Sequence, residues 1–235
     1  MRLDRYVSQA TGLSRSQARS AIRAGRVGLA DQAVTRPSYI VGEQPVVSLD
    51  GVPVSLPGRR YYMLNKPTGY VCDRGDTHHP SVFELLEPGA GLHVAGRLDA
   101  DVTGLVLLTD DGDWSHALTA PRRKQPKTYL AMLAEPLGAA SAEALREGVR
   151  LHGDTRPTRP AAIDVLPGGC RVRLTVAEGR YHQVKRMFAA VGNRVEALHR
   201  ERIGPFVLDP RLGPGDYRAL GAGEVAQVQT PGRKL

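Results

Sequence analysis

The chain has 235 residues, of which 41% are hydrophobic and 24% charged, a composition typical of a globular protein with a buried core. Its formal charge of +8 at pH 7 favours a polyanionic partner, because Lys and Arg side chains release counterions when they meet phosphates. The two cysteines have neither the spacing of a disulfide framework nor that of a metal site. The sequence shows no signal-peptide core, and no apolar run approaches the ~20 residues of a membrane helix. We therefore expect a cytoplasmic protein.

Residues 1–50 are predicted to form a small module. Apolar residues at helical spacing over residues 3–10 predict a first helix, which Gly12 ends. Ser14 is a candidate N-cap for a second helix that runs to about residue 24. Short strand-like runs follow around residues 27–29 and 46–49. The module therefore combines a helix pair with a small amount of sheet.

Three arginines share one face of the predicted second helix. Arg15, Arg19 and Arg23 are each four residues apart, and such a stripe is usually a solvated face. The module resembles the S4 RNA-binding domain, and the resemblance is carried by residues 2–4, 14–18, 22, 25–27 and 50. The S4 resemblance implies that Arg15, Arg19, Arg23 and Arg26 contact RNA.

The next ten residues, 51–60, hold two prolines and two glycines, which predicts an interdomain linker. A second domain is expected from residue 61 to about residue 230. It contains short β-like runs separated by helical patches, so the sequence predicts an α+β or mixed α/β domain. The β-like runs are residues 61–64, 105–109, 128–133, 161–165 and 171–176.

Asp99 lies in a loop that precedes the apolar run 105–108. A reactive group on a loop held by a buried strand is a common way to build an active site. Taken alone, however, an Asp after Gly-Arg-Leu is more often a turn or cap residue. The nearby Asp101 is interpreted as structural.

Tyr129 lies on a run with a period of two, together with Ala131 and Leu133. Its ring is either a core tyrosine or a platform on which an extruded base stacks. Just upstream, residues 122–127 place four positive charges in six positions, which indicates either a solvated loop or a phosphate contact. The second interpretation assigns RNA binding to Arg122, Arg123 and Lys124.

An amphipathic helix is predicted over residues 181–191. Its apolar residues follow i, i+3, i+4 and i+7 and should face the core, whereas His182, Lys185 and Arg186 form a basic edge. A cation from this edge close to Asp99 would keep that carboxylate ionised.

Several candidate motifs are incomplete. Residues 110–113 lack the spacing and the terminal Glu of a calcium loop, and His78 and His79 lack spaced partners for zinc. The sequence has neither a phosphate-binding loop nor a dinucleotide fingerprint. We therefore expect no metal and no cofactor.

Five segments, in chain order, resemble the motifs of the pseudouridine synthases, in particular the branch that carries an S4 module and acts on small-subunit (16S) ribosomal RNA. They are residues 63–70, 96–105, 127–129, 178–187 and 198–204. The resemblance implies an α+β protein: an S4-like module followed by a mixed-sheet catalytic domain whose cleft crosses the sheet.

The resemblance also implies roles for individual residues. Asp99 would initiate the isomerisation of uridine, Tyr129 would lie against the uracil ring, and Leu198 would pack in the active site. Lys185 would hold Asp99, with Arg186 as the fallback. Further RNA contacts are assigned to Lys66, Arg97 and Arg186.

The resemblance implies that the partner is ribosomal RNA or a small-subunit assembly intermediate. We expect the protein to be a monomer. The alternatives are a sister synthase that acts on large-subunit RNA and a non-catalytic RNA-binding assembly factor.

Overall fold

The computed structural model describes residues 1–30, 32–42, 45–56, 58–87, 91–120 and 125–228. The chain divides into two compact units, Met1–Arg59 and Arg60–Leu235. In the described part of the chain, no helix has the length and apolar character needed to cross a membrane.

The N-terminal unit begins with two helices, α1 (Leu3–Thr11) and α2 (Arg15–Arg23). α1 ends at Gly12, which adopts the left-handed conformation with φ 76° that glycine allows without steric cost. The Ser14 hydroxyl accepts a hydrogen bond from the backbone N–H of Gln17, whose side chain accepts one from the N–H of Ser14. This capping box confirms the predicted start of the second helix.

A four-stranded antiparallel sheet packs with these helices, in the order β2-β1-β3-β4. Its strands are β1 (Val27–Leu29), β2 (Gln32–Ala33), β3 (Val47–Leu49) and β4 (Val52–Val54). The core that they share with the helices consists of the buried side chains of Leu3, Tyr6, Val7, Ala18, Ala21, Ile22, Val27, Val41 and Val47.

The linker predicted over residues 51–60 is wrong in its first half, because β4 lies there and pairs with β3. Asp50 and Gly51 have φ of 53° and 79° and connect the two strands, and an Asp-Gly pair with both φ positive is a favoured two-residue hairpin turn. Pro53 is compatible with a strand here because β4 is at the sheet edge, where the missing N–H is tolerated. Pro53 therefore belongs to an edge strand and not to a linker.

The C-terminal unit is built on a mixed sheet that contains nine strands among the described residues, in the order β13-β5-β7-β11-β8-β10-β9, with β6 beside β7 and β12 beside β11. β7 and β11 are parallel and the other pairings are antiparallel. The strands are β5 (Tyr61–Lys66), β6 (His93–Ala95), β7 (Thr103–Thr109), β8 (Lys127–Leu133), β9 (Ala162–Val165), β10 (Arg171–Val176), β11 (Val195–Ile203), β12 (Phe206–Val207) and β13 (Tyr217–Ala219). The mixed sheet of the predicted fold class is confirmed.

Hydrophobic clusters cover both faces of this sheet. On the central strand β7, Val106 and Leu108 belong to one cluster, and Leu105 and Leu107 belong to the other. Alternating side chains of a strand point to opposite faces, so a strand that is apolar at every position is buried on both sides. The covering helices are α3 (Gly112–Thr119), α4 (Ala139–Glu147), α5 (Gln183–Ala190) and α6 (Ala222–Ala226), with a 3-10 turn at Val82–Leu85.

α5 corresponds to the amphipathic helix predicted over residues 181–191. Val184, Met187 and Phe188 are buried in the core, as the apolar spacing predicted. The helix starts two residues later than expected, because His182 has φ 47° and lies in the left-handed region.

Candidate active site

The loop that carries Asp99 connects β6 to the buried strand β7. Gly104, at the start of β7, pairs with Arg200 of the parallel strand β11 and has φ 103°. A Cβ placed at this glycine would lie 2.8 Å from the Arg200 backbone nitrogen and even closer to its carbonyl oxygen. Only glycine fits this close approach, which fixes where the loop ends relative to β11.

The ammonium of Lys66 lies under the C-terminal side of the Asp99 loop. Its Nζ donates hydrogen bonds to the carbonyl oxygens of Pro67 (3.0 Å), Ala100 (3.1 Å) and Val102 (2.7 Å). Lys66 is fully buried, and burial lowers the pKa of its ammonium. The prediction that Lys66 contacts RNA is therefore wrong, because carbonyls of the chain itself take up the donors of its buried ammonium.

A second buried cation holds the N-terminal side of the same loop. The guanidinium of Arg200 donates to the carbonyl oxygens of Gly96 (2.6 Å), Arg97 (3.2 Å) and Leu105 (2.9 Å). Arg200 is 1% exposed, and its Cζ lies 6.0 Å from the centroid of the Tyr129 ring. Two buried cations thus fix the backbone on either side of Asp99.

The Asp99 carboxylate is partly exposed and faces two basic side chains of the 181–185 segment. Its Oδ2 lies 3.5 Å from His182 Nε2 and 3.7 Å from Lys185 Nζ. Lys185 Nζ is closer to Asp101, whose two carboxylate oxygens each lie 2.7 Å away. The hydrogen bond from Lys185 lowers the pKa of Asp101. The sequence placed Lys185 near Asp99, but it did not predict that a second carboxylate would share this ammonium.

A network of hydrogen bonds fixes the turn that presents His182 and Lys185. The Gln183 side chain accepts from the backbone N–H of Arg180 (2.9 Å) and donates to Glu178 (2.9 Å), and Arg180 donates to Asp154 (2.9 Å). Arg186 donates to Asp154 (2.7 Å) and to the carbonyl of residue 152 (2.6 Å).

Arg186 is therefore engaged by its own chain, with a quarter of its side chain exposed. Its predicted contact with RNA is not supported, and neither is its fallback role beside Asp99, because the loop around Asp154 binds its guanidinium.

These elements enclose a cleft of about 690 Å³ in the C-terminal unit. Four of the predicted site residues line it together: Asp99, Tyr129, Lys185 and Leu198. Tyr129 comes from β8, and Leu198, which is 7% exposed, comes from the neighbouring β11. The predicted RNA-binding residue Arg97 also lines the cleft and is exposed.

Lys127, His182 and Arg200 also line the cleft. The sequence interpretation named His182 only as part of a basic edge and gave Lys127 and Arg200 no individual role. Burial and the nearby Arg200 charge lower the pKa of Lys127. All three lie within segments that the sequence had singled out, so the motifs pointed to the region but not to these side chains.

Two of the arginines predicted to bind RNA in the N-terminal unit, Arg15 and Arg19, lie beside one buried carboxylate together with Arg2. Asp4, which is fully buried, accepts from Arg2 (2.9 Å), Arg15 (3.3 Å) and Arg19 (3.1 Å). These contacts, that of Arg2 above all, hold the pKa of Asp4 well below its usual range. The guanidinium groups remain about half exposed, so the ion pairs fix their positions without burying them.

Arg23 is also exposed, whereas Arg26 pairs with Asp50. The predicted phosphate contacts Arg122, Arg123 and Lys124 lie outside the described residues.

A small basic helical module, joined to a mixed-sheet unit that carries an aspartate in a cation-lined cleft, is the arrangement of an RNA-modifying enzyme. Residues 60–190 match the family described as RNA pseudouridylate synthase, and residues 1–47 match the S4 domain. The chain belongs to the RNA pseudouridine synthase family, and RNA is its partner.

Relatives match over nearly the whole length. The chain is 51% identical to the ribosomal small subunit pseudouridine synthase A of Yersinia pestis, over 98% of this chain and 99% of the relative. It is 50% identical to the protein of the same name from Escherichia coli strain K12, over 97% of this chain and all of the relative. A crystal structure of a pseudouridylate synthase superposes with a TM-score of 0.71 at 42% identity, covering 97% of this chain and all of that one.

Proposed function

We propose that the protein converts one specific uridine of small-subunit (16S) ribosomal RNA to pseudouridine. The observation that carries the proposal is the cleft in which Asp99 faces His182 and Lys185 at 3.5 and 3.7 Å, beside Tyr129 and Leu198. The choice of small-subunit RNA rests on the names of relatives that are about half identical over nearly their full length.

The proposed reaction is an isomerisation in which the N1–C1′ bond of uridine breaks and a C5–C1′ bond forms. C5 loses its proton and N1 gains one, so atoms and electrons balance without an external electron, phosphate or metal. The reacting bond is inaccessible in stacked RNA, so the target nucleotide must be flipped into the cleft. Tyr129 offers its ring as the surface for the flipped uracil.

Asp99 starts the cleavage of the glycosidic bond by one of three routes. The carboxylate attacks C1′, attacks C6 of the base, or removes the 2′ proton to give a glycal. Each route needs an ionised carboxylate at a fixed place in the cleft. The two buried cations, Lys66 and Arg200, hold the backbone on both sides of Asp99 and so supply the fixed position.

Lys185 is the positive charge that stabilises and orients Asp99, and Asp101 also pairs with its ammonium. Leu198 excludes water from the space beside Tyr129. Exclusion of water prevents hydrolysis of the sugar while the uracil is detached and rotates to present C5.

RNA outside the cleft is bound by basic side chains. In the N-terminal unit these are the exposed Arg15, Arg19, Arg23 and Arg26, and Arg97 lies at the cleft. The basic run before Tyr129 adds Arg122, Arg123 and Lys124. We propose that the protein acts as a monomer in the cytoplasm, on ribosomal RNA or on an assembly intermediate of the small subunit.

The experiment incubates purified protein with unmodified small-subunit RNA, free and partly assembled, and maps pseudouridine by carbodiimide treatment and primer extension. The expected result is one new stop for the wild type and none for Asp99→Asn, with an unchanged urea unfolding curve for the variant. If Asp99→Asn is fully active, the role given to Asp99 is wrong. Large-subunit RNA in a parallel reaction tests the sister-synthase alternative, and binding without any modification would indicate the assembly factor.

A further inference from the structure

The side chain of Tyr181 stands at the rim of the cleft, largely in solvent. It is 77% exposed, the highest exposure among the large hydrophobic side chains described, and it lines the same cleft as Asp99. Its ring stacks on the imidazole of His182, with centroids 3.8 Å apart and planes 18° apart. One face of the phenol ring is therefore covered, and the other is open to solvent.

The turn that presents this ring is rigid. The Tyr181 carbonyl accepts a hydrogen bond from Arg186 (3.2 Å), and the Gln183 side chain bridges Glu178 and the backbone of Arg180. His182 is one of three non-glycine residues with positive φ in the described chain. A non-glycine residue in the left-handed region costs of order 1 kcal/mol, and such conformations concentrate at functional sites. The stacked rings therefore belong to a segment that contains such a conformation.

The stacked pair lies in the same cleft as the reacting carboxylate. His182 Nε2 is 3.5 Å from Asp99 Oδ2, and the Tyr181 ring stacks on the same imidazole. The exposed cations Arg97 and Arg159 also line this cleft. An open aromatic face next to positive charge is the combination that binds single-stranded nucleic acid, through base stacking and phosphate contacts.

We propose that Tyr181 is a stacking platform for the RNA base that directly neighbours the target uridine. This inference rests on the proposed function. When the uridine is flipped into the cleft, its neighbour loses a stacking partner, and the open face of Tyr181 replaces it. Because every base has a π-face, the platform strengthens binding of the extruded conformation without selecting the neighbouring base.

The test uses a stem-loop transcript centred on the uridine that the wild-type protein modifies. Tyr181→Leu is expected to raise KM, and the Kd of the RNA in a filter-binding assay, about tenfold, while kcat stays unchanged. Tyr181→Phe is the matched control, since it keeps the ring and removes only the hydroxyl, and it should behave as the wild type. Two further transcripts carry an abasic site on the 5′ or the 3′ side of the target. On one of them the wild type and Tyr181→Leu should bind equally.

Other values of Kd, KM and kcat would contradict the proposed role of Tyr181. An unchanged Kd for Tyr181→Leu would show that Tyr181 is not a stacking platform. The same conclusion follows if Tyr181→Phe loses as much RNA affinity as Tyr181→Leu. A fall in kcat at constant KM would assign Tyr181 to the support of His182 instead. Wild-type protein that binds small-subunit RNA but modifies none of its uridines would defeat the proposed function. In that case the Kd comparison, made on small-subunit RNA itself, would still show whether the Tyr181 ring contributes to RNA binding.

Discussion

Replacing Arg200 by Met tests whether the buried guanidinium positions the Asp99 loop. The substitution keeps an unbranched side chain of similar reach but removes the donors to the carbonyls of Gly96, Arg97 and Leu105. Hydrogen bonds from a charged donor contribute about 1.5–3 kcal/mol each, and removing one partner of a buried polar network costs about 3–5 kcal/mol. We expect Arg200→Met to lower the free energy of unfolding by about 3–5 kcal/mol.

Activity should fall as well, because the loop that carries Asp99 loses its anchor on one side. A displacement of about 1 Å at a reacting group costs about 100-fold in rate. We expect kcat to fall by about this factor at saturating RNA, with a smaller change in KM. Arg200→Lys keeps the charge but loses the forked guanidinium that donates to three carbonyls at once. Its free energy of unfolding and its kcat should therefore lie between those of the wild type and Arg200→Met.

The assays are urea unfolding followed by circular dichroism and tritium release from RNA labelled at C5 of uridine. Arg194→Met is the matched control, because Arg194 is 78% exposed and its side chain pairs with the exposed Glu196 in the part of the chain that the structure describes. It should change stability by less than about 0.5 kcal/mol. The reasoning is refuted if Arg200→Met unfolds within about 1 kcal/mol of the wild type. It is refuted also if the folded variant keeps the wild-type kcat.

Three further outcomes are expected. Gly104→Ala should destabilise the protein by several kcal/mol in urea unfolding, since its Cβ would overlap the β11 backbone, and a stable, active variant would contradict this. Asp101→Asn should leave Lys185 free to approach Asp99, so kcat measured by tritium release should stay at the wild-type value. Lys185→Met should lower kcat about tenfold in the same assay. Equal losses of kcat in the two variants would assign Asp101 a direct role. The pKa of Asp4 is depressed in the folded state, so its contribution to stability is present above the unfolded pKa of about 4 and is lost as pH falls. The protection factors of the α1 amides, which correct for the slower intrinsic exchange at low pH, should therefore fall on acidification, and Asp4→Asn should show this lower protection already at neutral pH.

The local structure of the chain could be read from its sequence. The capping box at Ser14, the helix end at Gly12 and the buried face of α5 all follow from residue type and spacing within one or two turns. Asp99 and Tyr129 are predicted as site residues because they lie in ordered motifs, and the structure places both at the cleft. The hairpin at Asp50 and Gly51 has a local turn signal, but the prolines and glycines beside it are equally typical of a linker.

What the tertiary structure decided is the direction of the long cationic side chains. Lys66 and Arg186 carry the same charge as an RNA-binding residue, and nothing in a linear pattern separates them from Arg97. Lys66 became a buried anchor because the carbonyls of Ala100 and Val102, more than 30 residues away, converge on its ammonium. Arg200 likewise reaches carbonyls about 100 residues earlier in the chain.

The sequence by itself therefore determined the two-part organisation, the mixed composition of helices and strands and four of the residues that the structure brings together in the cleft. Only the folded chain decided which cations face solvent and which hold the loop that carries Asp99. The physical reason is that a buried charge is tolerated only where carbonyls or carboxylates surround it. In this protein those partners come from strands and loops distant in sequence, so the role of each cation is set by packing and not by its local pattern.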